Sequence, residues 1–310
     1  MKSQSSHRNT VFKTYRYGID KASTIMNSRL KIDSTLIENV DSAFNNKLKV
    51  AAAFDLVAPI YDESFNSSPV IQRLRSKVYK EIELRIKAGA SILDVNCGTG
   101  VDTVYFAGKG MKVTGIDLSP KMIEQCRNKK KALQLNNVEF HVSSFETLSQ
   151  KLKPEFDLVL SNFGGLNCVP KLDRVAEEIN SLIRTEGYFV AVVMPCFSLW
   201  EIVTGIISGK WGYAFRRFHS HVHATGFNDE SFEVFYHSLH RFVSSFRPWF
   251  TAERIIGFNI VSPPPSSIRF LQRHSRFSSF LIQLDEFIER IPLVRAMGDH
   301  YMIVMKRKPV

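Results

Sequence analysis

"SILDVNCGTGVD", residues Ser91–Asp102, decides how the whole chain is read. An apolar run ends in an acid, Asp94. A small glycine-containing turn follows at once, through Asn96, Cys97, Gly98, Thr99 and Gly100. Glycine adopts backbone angles closed to other residues and has no side chain to hold a ligand off, so such a turn brings backbone N–H groups against whatever is bound. A phosphate-binding P-loop needs a Lys directly after its last glycine, and none stands there. A dinucleotide fingerprint needs a third glycine for tight helix packing. Gly98 and Gly100 fit it, but the third position is Thr103.

Downstream, strand and helix patterns alternate. "KVTGIDLS", "VEFHVS", "FDLVLSNF" and "GYFVAVVMP" read as strands. "GVDTVYFAGKG" reads as a helix ended by Gly110, and "SPKMIEQCRNKKKALQL" as one capped by Ser119 with Pro120 in its first turn. "LDRVAEEINSLIR" reads as a third helix. Upstream, Val70, Leu74, Val78, Ile82 and Ile86 recur every four residues, one apolar stripe on an amphipathic helix begun by Pro69. Alternation at this pitch predicts a doubly wound α/β fold with a mostly parallel sheet.

"LDVNCGTG" resembles motif I of the class I S-adenosylmethionine (SAM) dependent methyltransferases, with Asn96 in place of the motif's usual first glycine. "VTGIDLSPKMIEQCR" is similar to that family's second strand and its terminal acid, "VEFHVSSFETL" to its third strand and adenine loop, and "FDLVLSNFGGLNCV" to its motif IV. "LIRTEGYFVAVVM" resembles its fifth strand. "FDLVAPIYDESF" resembles a segment of methyltransferases in the ubiquinone and biotin pathways. The resemblance covers about 51–195 plus the last strand. It implies a Rossmann-like core with a seven-stranded sheet and SAM as the cofactor.

The resemblance also implies a set of cofactor residues. Asn96, Cys97, Gly98, Thr99 and Gly100 form the loop against the amino acid end of SAM, oriented by Asp94. Asp117, 17 residues after Gly100, accepts the ribose hydroxyls, with Leu118 and Met122 beside it. Ser144 stands where the family commonly places an acid facing the adenine amine, and Phe145 follows it. Asn162 and Phe163 end the fourth strand beside the sulfonium, and Tyr61 caps the SAM carboxylate from the N-terminal side.

The 310 residues allow two domains at roughly 150 residues each, or one domain with insertions. The expected organisation is a loose arm over 1–48 with one helix at Ser34–Leu48, a SAM-binding core over 49–195, an α+β lid with remaining core elements over 196–297, and a final strand and basic tail over 298–310. A polar start gives no sign of a secretory signal, and no apolar run reaches the about 20 residues that a bilayer needs. Cys97, Cys126, Cys168 and Cys196 lack paired spacing, so reduced thiols in a cytoplasmic protein are expected. The net charge of +11 is uneven: residues 1–50 hold 9 Lys/Arg against 4 Asp/Glu, residues 241–310 hold 11 against 5, and residues 51–200 are nearly balanced. No dense basic stripe marks a nucleic-acid track, so no DNA partner is expected and RNA is not favoured. The oligomeric state is not readable.

The methyl acceptor is sought after Pro195, where aromatics crowd. Trp200, Tyr213, Arg216 and Arg217 are the substrate candidates, in a lid over the carboxyl ends of the strands. "HSHVHATGF" and "SFEVFYHS" read as a hairpin turning at Asn228 and Asp229, with His219, His221 and His223 on one face. No carboxylate or Cys completes a metal set there. His221, Tyr236 and His237 are the candidate proton acceptors. The expected activity is methyl transfer from SAM to a small apolar, ring-containing or carboxylate-bearing molecule. The alternatives are an RNA or protein methyltransferase, a catalytically inactive SAM-binding partner or sensor, and a nicotinamide-binding protein.

Overall fold

The computed structural model describes residues 42–309 except 150–151, 154–155, 220 and 226–230. Of the arm helix expected at Ser34–Leu48, residues 34–41 lie outside the described residues and 42–48 are helical. The first described helix, α1 (Ser42–Val57), runs through the expected boundary at residue 48. Then come α2 (Pro69–Glu83), β1 (Ser91–Asp94), α3 (Val101–Gly108), β2 (Lys112–Asp117), α4 (Pro120–Ala132), β3 (Val138–Val142), β4 (Phe156–Ser161), α5 (Asp173–Leu182) and β5 (Ile183–Val193). After β5 the chain forms α6 (Leu199–Ile207), α7 (Trp211–Phe215), β6 (His221–Thr225), β7 (Ser231–Phe235) and α8 (Leu239–Phe246). It ends with β8 (Phe250–Phe258), α9 (Ile268–Arg273), α10 (Ser275–Ile288) and β9 (His300–Arg307).

Seven strands form one sheet in the order β3-β2-β1-β4-β5-β9-β8. The first five are parallel, and β9 runs antiparallel to both of its neighbours. The order reverses between β1 and β4, which opens a crevice at the carboxyl ends of those strands. The side chains alternate as a sheet covered on both faces requires. Ile92, Leu158, Leu160, Val190, Val192, Met302 and Val304 enter one core, beneath α2 and α3. Leu93, Val159, Phe189, Ala191, Val193, Tyr301 and Ile303 enter the other, beneath α5 and α8. Each such side chain contributes about 1.5–3 kcal/mol by leaving water. The four-residue stripe of α2 is buried along its whole length.

Local signals hold at several ends. The Ser119 hydroxyl accepts from the Met122 N–H at 3.0 Å, and Gly110 turns the chain after α3 at φ +81°. The third downstream helix differs from its sequence reading. It stops at Leu182, because Ile183 already pairs with Phe156 and begins the fifth strand. The β6–β7 hairpin forms outside the main sheet. It packs on α1, where the Asn46 amide acts as an extra rung: its Nδ2 donates to the Glu233 carbonyl and its Oδ1 accepts the Glu233 N–H.

Candidate active site

Two glycines shape the loop after β1, for different reasons. Gly98 (φ +53°) has open space where a side chain would stand; a Cβ there would meet only the Tyr61 ring, at 4.0 Å. Gly100 (φ +81°) has no room: a Cβ would lie 2.9 Å from Cys126 Sγ on α4. The first keeps a cradle empty and the second lets a helix close in. The Gly98 N–H donates to Asp117 Oδ2 at 2.9 Å, and Asp117 Oδ1 accepts the Ser119 N–H at 2.9 Å. The carboxylate at the end of β2 is thus tied to the loop after β1. Burial raises the Asp117 pKa, and backbone donors from Ser119, Gly98 and Leu118 oppose that rise.

Asp94 is buried behind the loop. Its Oδ2 accepts from Thr103 Oγ1 at 2.9 Å, and its Oδ1 has no protein partner. Burial, with Asp102 close by, pushes its carboxyl well above the ordinary range. Thr103 therefore serves Asp94 at the position where a dinucleotide site would place glycine.

Asn96 fits because of a glycine elsewhere. Its Oδ1 accepts from Ser161 Oγ at 2.7 Å, and its Nδ2 donates to the Asn162 carbonyl at 2.6 Å, which links the ends of β1 and β4. A Cβ on Gly165 would lie 2.4 Å from Asn96 Cγ. Gly165→Ala is expected to destabilise the chain by about 1–3 kcal/mol through overpacking. Asn96→Gly in the same chain should recover most of that loss. Urea unfolding of the two single variants and the double variant measures the coupling, and additive losses would refute it.

The loop opens into a cleft with about 1040 Å³ of empty space, the solvent at its mouth included. Tyr61, Asn96, Cys97, Gly98, Thr99, Asp117, Leu118, Met122, Ser144, Phe145, Asn162 and Phe163 all line it. Asp94 and Gly100 lie behind the lining. One wall is aromatic. Phe54 meets Tyr61 edge-on at 6.4 Å, Tyr61 stacks on Phe65 at 5.1 Å, and Phe65 meets Phe163 edge-on at 5.8 Å. Burial raises the Tyr61 phenol pKa, so it stays neutral. Burial also pushes the Cys168 thiol to about 12 and lifts Cys97 well above its usual value, so neither is a thiolate near neutral pH.

The sequence reading missed the polar end of the cleft. Arg75 Nε stands 2.7 Å from Asp102 Oδ1, and both terminal nitrogens of Arg75 donate to Asn66 Oδ1 at 3.0 Å. Asp102 also accepts from Tyr79 OH at 2.6 Å and Asn162 Nδ2 at 3.0 Å. Asp62 accepts from Thr99 Oγ1 at 2.5 Å and pairs with Lys129 at 2.5 Å. Burial raises the Asp62 pKa, but hydrogen bonds from Lys129, Thr99 and Asn66 outweigh it and hold the carboxyl low. These contacts bolt the segment before α2 onto the glycine loop. Lys47, Val50 and Phe54 of α1 also line the cleft, and Lys47 is ion-paired to Glu146. The one available signal was Arg75 beside the apolar stripe residue Leu74, since an Arg at the edge of a buried face needs a buried acceptor.

The candidates after Pro195 are not brought to this cleft. Trp200 donates its Nε1–H to Ser267 Oγ at 3.2 Å. Arg216 forks onto Glu201 at 2.9 and 2.7 Å, with Tyr213 beneath its guanidinium. Arg217 is buried between Glu201 at 2.7 Å and Asp299 at 2.6 Å, 5.2 Å from the centre of the Tyr236 ring. These residues form an internal ion cluster joining α6 to the start of β9, and none lines the cleft. The side chains of His221 and His223 lie outside the described residues. His237 is buried, and its Nε2 faces the Leu166 and Val169 carbonyls at 3.3 and 3.0 Å. It ties two loops together and does not line the cleft.

The burial of His237 has a pH consequence. Burial lowers its pKa from 6.5 to about 4. Between those values the unfolded chain binds a proton that the folded chain refuses. The stabilisation is therefore complete above the unfolded pKa and is lost as pH falls through this window, by up to about 1.4 kcal/mol per pH unit. His237→Gln should flatten that part of the stability–pH curve. An unchanged acid limb would assign it to other groups.

Residues 86–198 match a family model described as a methyltransferase domain. A demethylmenaquinone methyltransferase of Lactobacillus johnsonii is 27% identical over 217 residues, covering 67% of this chain and 85% of the relative. Another, of Oceanobacillus iheyensis, is 31% identical over 43% of this chain and 58% of its own length. Among solved structures, a putative SAM-dependent methyltransferase from Listeria monocytogenes aligns over 76% of this chain and all of its own (TM-score 0.51, 16% identity). The DhpI–SAH complex aligns over 86% of this chain and 99% of its own (TM-score 0.54, 14% identity). At these identities the structural likeness speaks for the fold alone.

Proposed function

The chain belongs to the class I SAM-dependent methyltransferases, and from that premise we propose that it methylates a small, apolar, ring-bearing molecule. SAM supplies an electrophilic methyl group on a sulfonium that is already a good leaving group. The chain's task is then alignment and exclusion of water. The empty cradle over Gly98 suits the amino acid end of the cofactor, and the Asp117 carboxylate, fixed by two backbone donors, suits the ribose. Leu118, Met122 and Phe145 offer an apolar slot for adenine. Glu146, two residues beyond Ser144, brings a carboxylate to that same side.

The aromatic wall of Phe54, Tyr61, Phe65 and Phe163 carries the reading of the acceptor. Such a wall favours a flat, uncharged ring over a phosphate chain. The charges support the same reading. The lining cations Lys47 and Arg75 are already paired to Glu146 and Asp102, which leaves neither free for a nucleic-acid backbone. The same pairs leave neither carboxylate free as a base. An acceptor that reaches its nucleophilic form through its own acidity, such as a phenol or hydroquinone, fits this site. The names of the demethylmenaquinone methyltransferase relatives point the same way.

Release of S-adenosylhomocysteine (SAH) on incubation with SAM and a set of hydroquinones, with RNA and protein as parallel acceptors, tests the proposal. Turnover is expected with a hydroquinone carrying an apolar tail and should be insensitive to salt. Turnover with RNA that falls steeply as salt rises would overturn it.

A further inference from the structure

An apolar face remains outside the cleft and outside the core. On α6 and just after it, Ile207 is 80% exposed and Trp211 59%. Phe215 stacks beneath Trp211 and continues through Phe218 to Phe197. From α6 the buried Trp200 meets Phe270 edge-on at 5.2 Å, and the ring contacts run on to the exposed Phe277 and Phe280. Along α10 only Ser278 and Asp285 are buried, and Phe287, at 83%, and Leu293, at 82%, stand in the open. Exposed apolar side chains in this number mark an interaction surface.

Charge identifies what the face meets. Lys210, Arg269, Arg273, Arg276 and Arg290 are exposed around it, and none is ion-paired among the described residues. Of the acids of the same stretch, Glu286 is exposed but lies 3.9 Å from the Lys77 ammonium, and the other two are buried. Asp285 accepts the Val261 and Ser262 N–H groups, and Glu289 pairs with Lys77. Phe, Trp and Leu interleaved with unpaired Arg is the composition of a helix lying in the interface of an anionic bilayer. A second copy would set these arginines against one another. None of the described helices is long and apolar enough to cross a membrane, so the face would lie on it.

Topology gives the face its orientation. α6 and α7 follow the carboxyl end of β5, and α9 and α10 lie between the carboxyl end of β8 and the start of β9, which pairs with the end of β5. Both segments therefore leave the sheet at the edge where the cleft opens.

We propose that the face built by α6, α7, α9 and α10 docks this protein on the surface of an anionic lipid bilayer. Docking would hold the mouth of the cleft near the lipid phase, where apolar ring compounds concentrate.

Co-sedimentation of the full chain with vesicles of phosphatidylcholine alone, and of phosphatidylcholine and phosphatidylglycerol mixed two to one, tests this without methyl transfer. Its failure is therefore separate from failure of the acceptor assignment. Wild type should partition to the anionic vesicles at least about tenfold more strongly than to the neutral ones, since each basic side chain near an anionic surface is worth about fivefold. Arg273→Ser with Arg276→Ser should lose about 10- to 25-fold by the same arithmetic. Phe280→Ser with Phe287→Ser should lose binding to both vesicles while SAH affinity, read by calorimetry, stays unchanged. Equal partitioning of all variants, or no wild-type binding to anionic vesicles, would overturn the proposal. So would sedimentation showing a dimer that the phenylalanine variant dissolves in the absence of vesicle binding.

Discussion

Asp117→Ala should weaken SAH binding by about 100-fold or more. On the proposed assignment the carboxylate accepts two ribose hydroxyls, and charge-assisted hydrogen bonds are each worth about 1.5–3 kcal/mol. The loss extends beyond the ribose. The Gly98 and Ser119 N–H groups both end on this carboxylate, so its removal leaves the glycine loop without its tie to β2. Asp117→Asn should fall between the two, because the amide keeps one acceptor while its NH2 faces a donor. Calorimetric titration with SAH measures all three proteins. An Asp117→Ala affinity within about threefold of wild type is smaller than one such bond and would refute the ribose assignment.

Arg217→Ala should cost about 3 kcal/mol of stability, because it removes the cation shared by buried Glu201 and Asp299 and leaves them only Arg216 and His300. Burial raises the Asp299 pKa, but His300 and Arg217 outweigh it and hold the carboxyl well below its usual range. The melting temperature should drop on the order of 10 °C. SAH affinity of the protein that remains folded should not change. Arg217→Lys, which keeps the charge but loses the fork to two carboxylates, should be destabilised less. If Arg217→Ala melts normally yet fails to bind or turn over, the side chain belongs to a ligand and not to the ion cluster.

The sheet was legible because its determinants are local. The strand runs, the Ser119 cap, Gly110 and the four-residue stripe of α2 each lie within a dozen residues of what they decide. The part of the cleft nearest the glycine loop was legible for the same reason: Gly98, Asp117, Asn162 and Phe163 stand at strand ends that the pattern already marks. Long-range pairing was not legible. Arg75 reads as one more charge on an amphipathic helix until Asp102 and Asn66 are brought beside it. Arg216 and Arg217 read as ligand-binding cations because their buried partners, Glu201 and Asp299, lie 15 and 82 residues away. His237 reads as a proton acceptor because a sequence does not show that two carbonyls already occupy its ring nitrogen. The aromatics after Pro195 raised a fair question about what they cover. The structure puts Trp211, Phe215 and Phe218 on the outside, while the cleft takes its aromatic wall from Phe54, Tyr61 and Phe65 upstream.

Crystals grown with SAH test the central claim most directly. The ribose hydroxyls should lie within hydrogen-bond distance of both Asp117 carboxylate oxygens, the amino acid end over Gly98, and the sulfur toward Asn162 and Phe163. Density for the nucleoside anywhere else, or a cleft that stays empty at saturating SAH, would contradict the account.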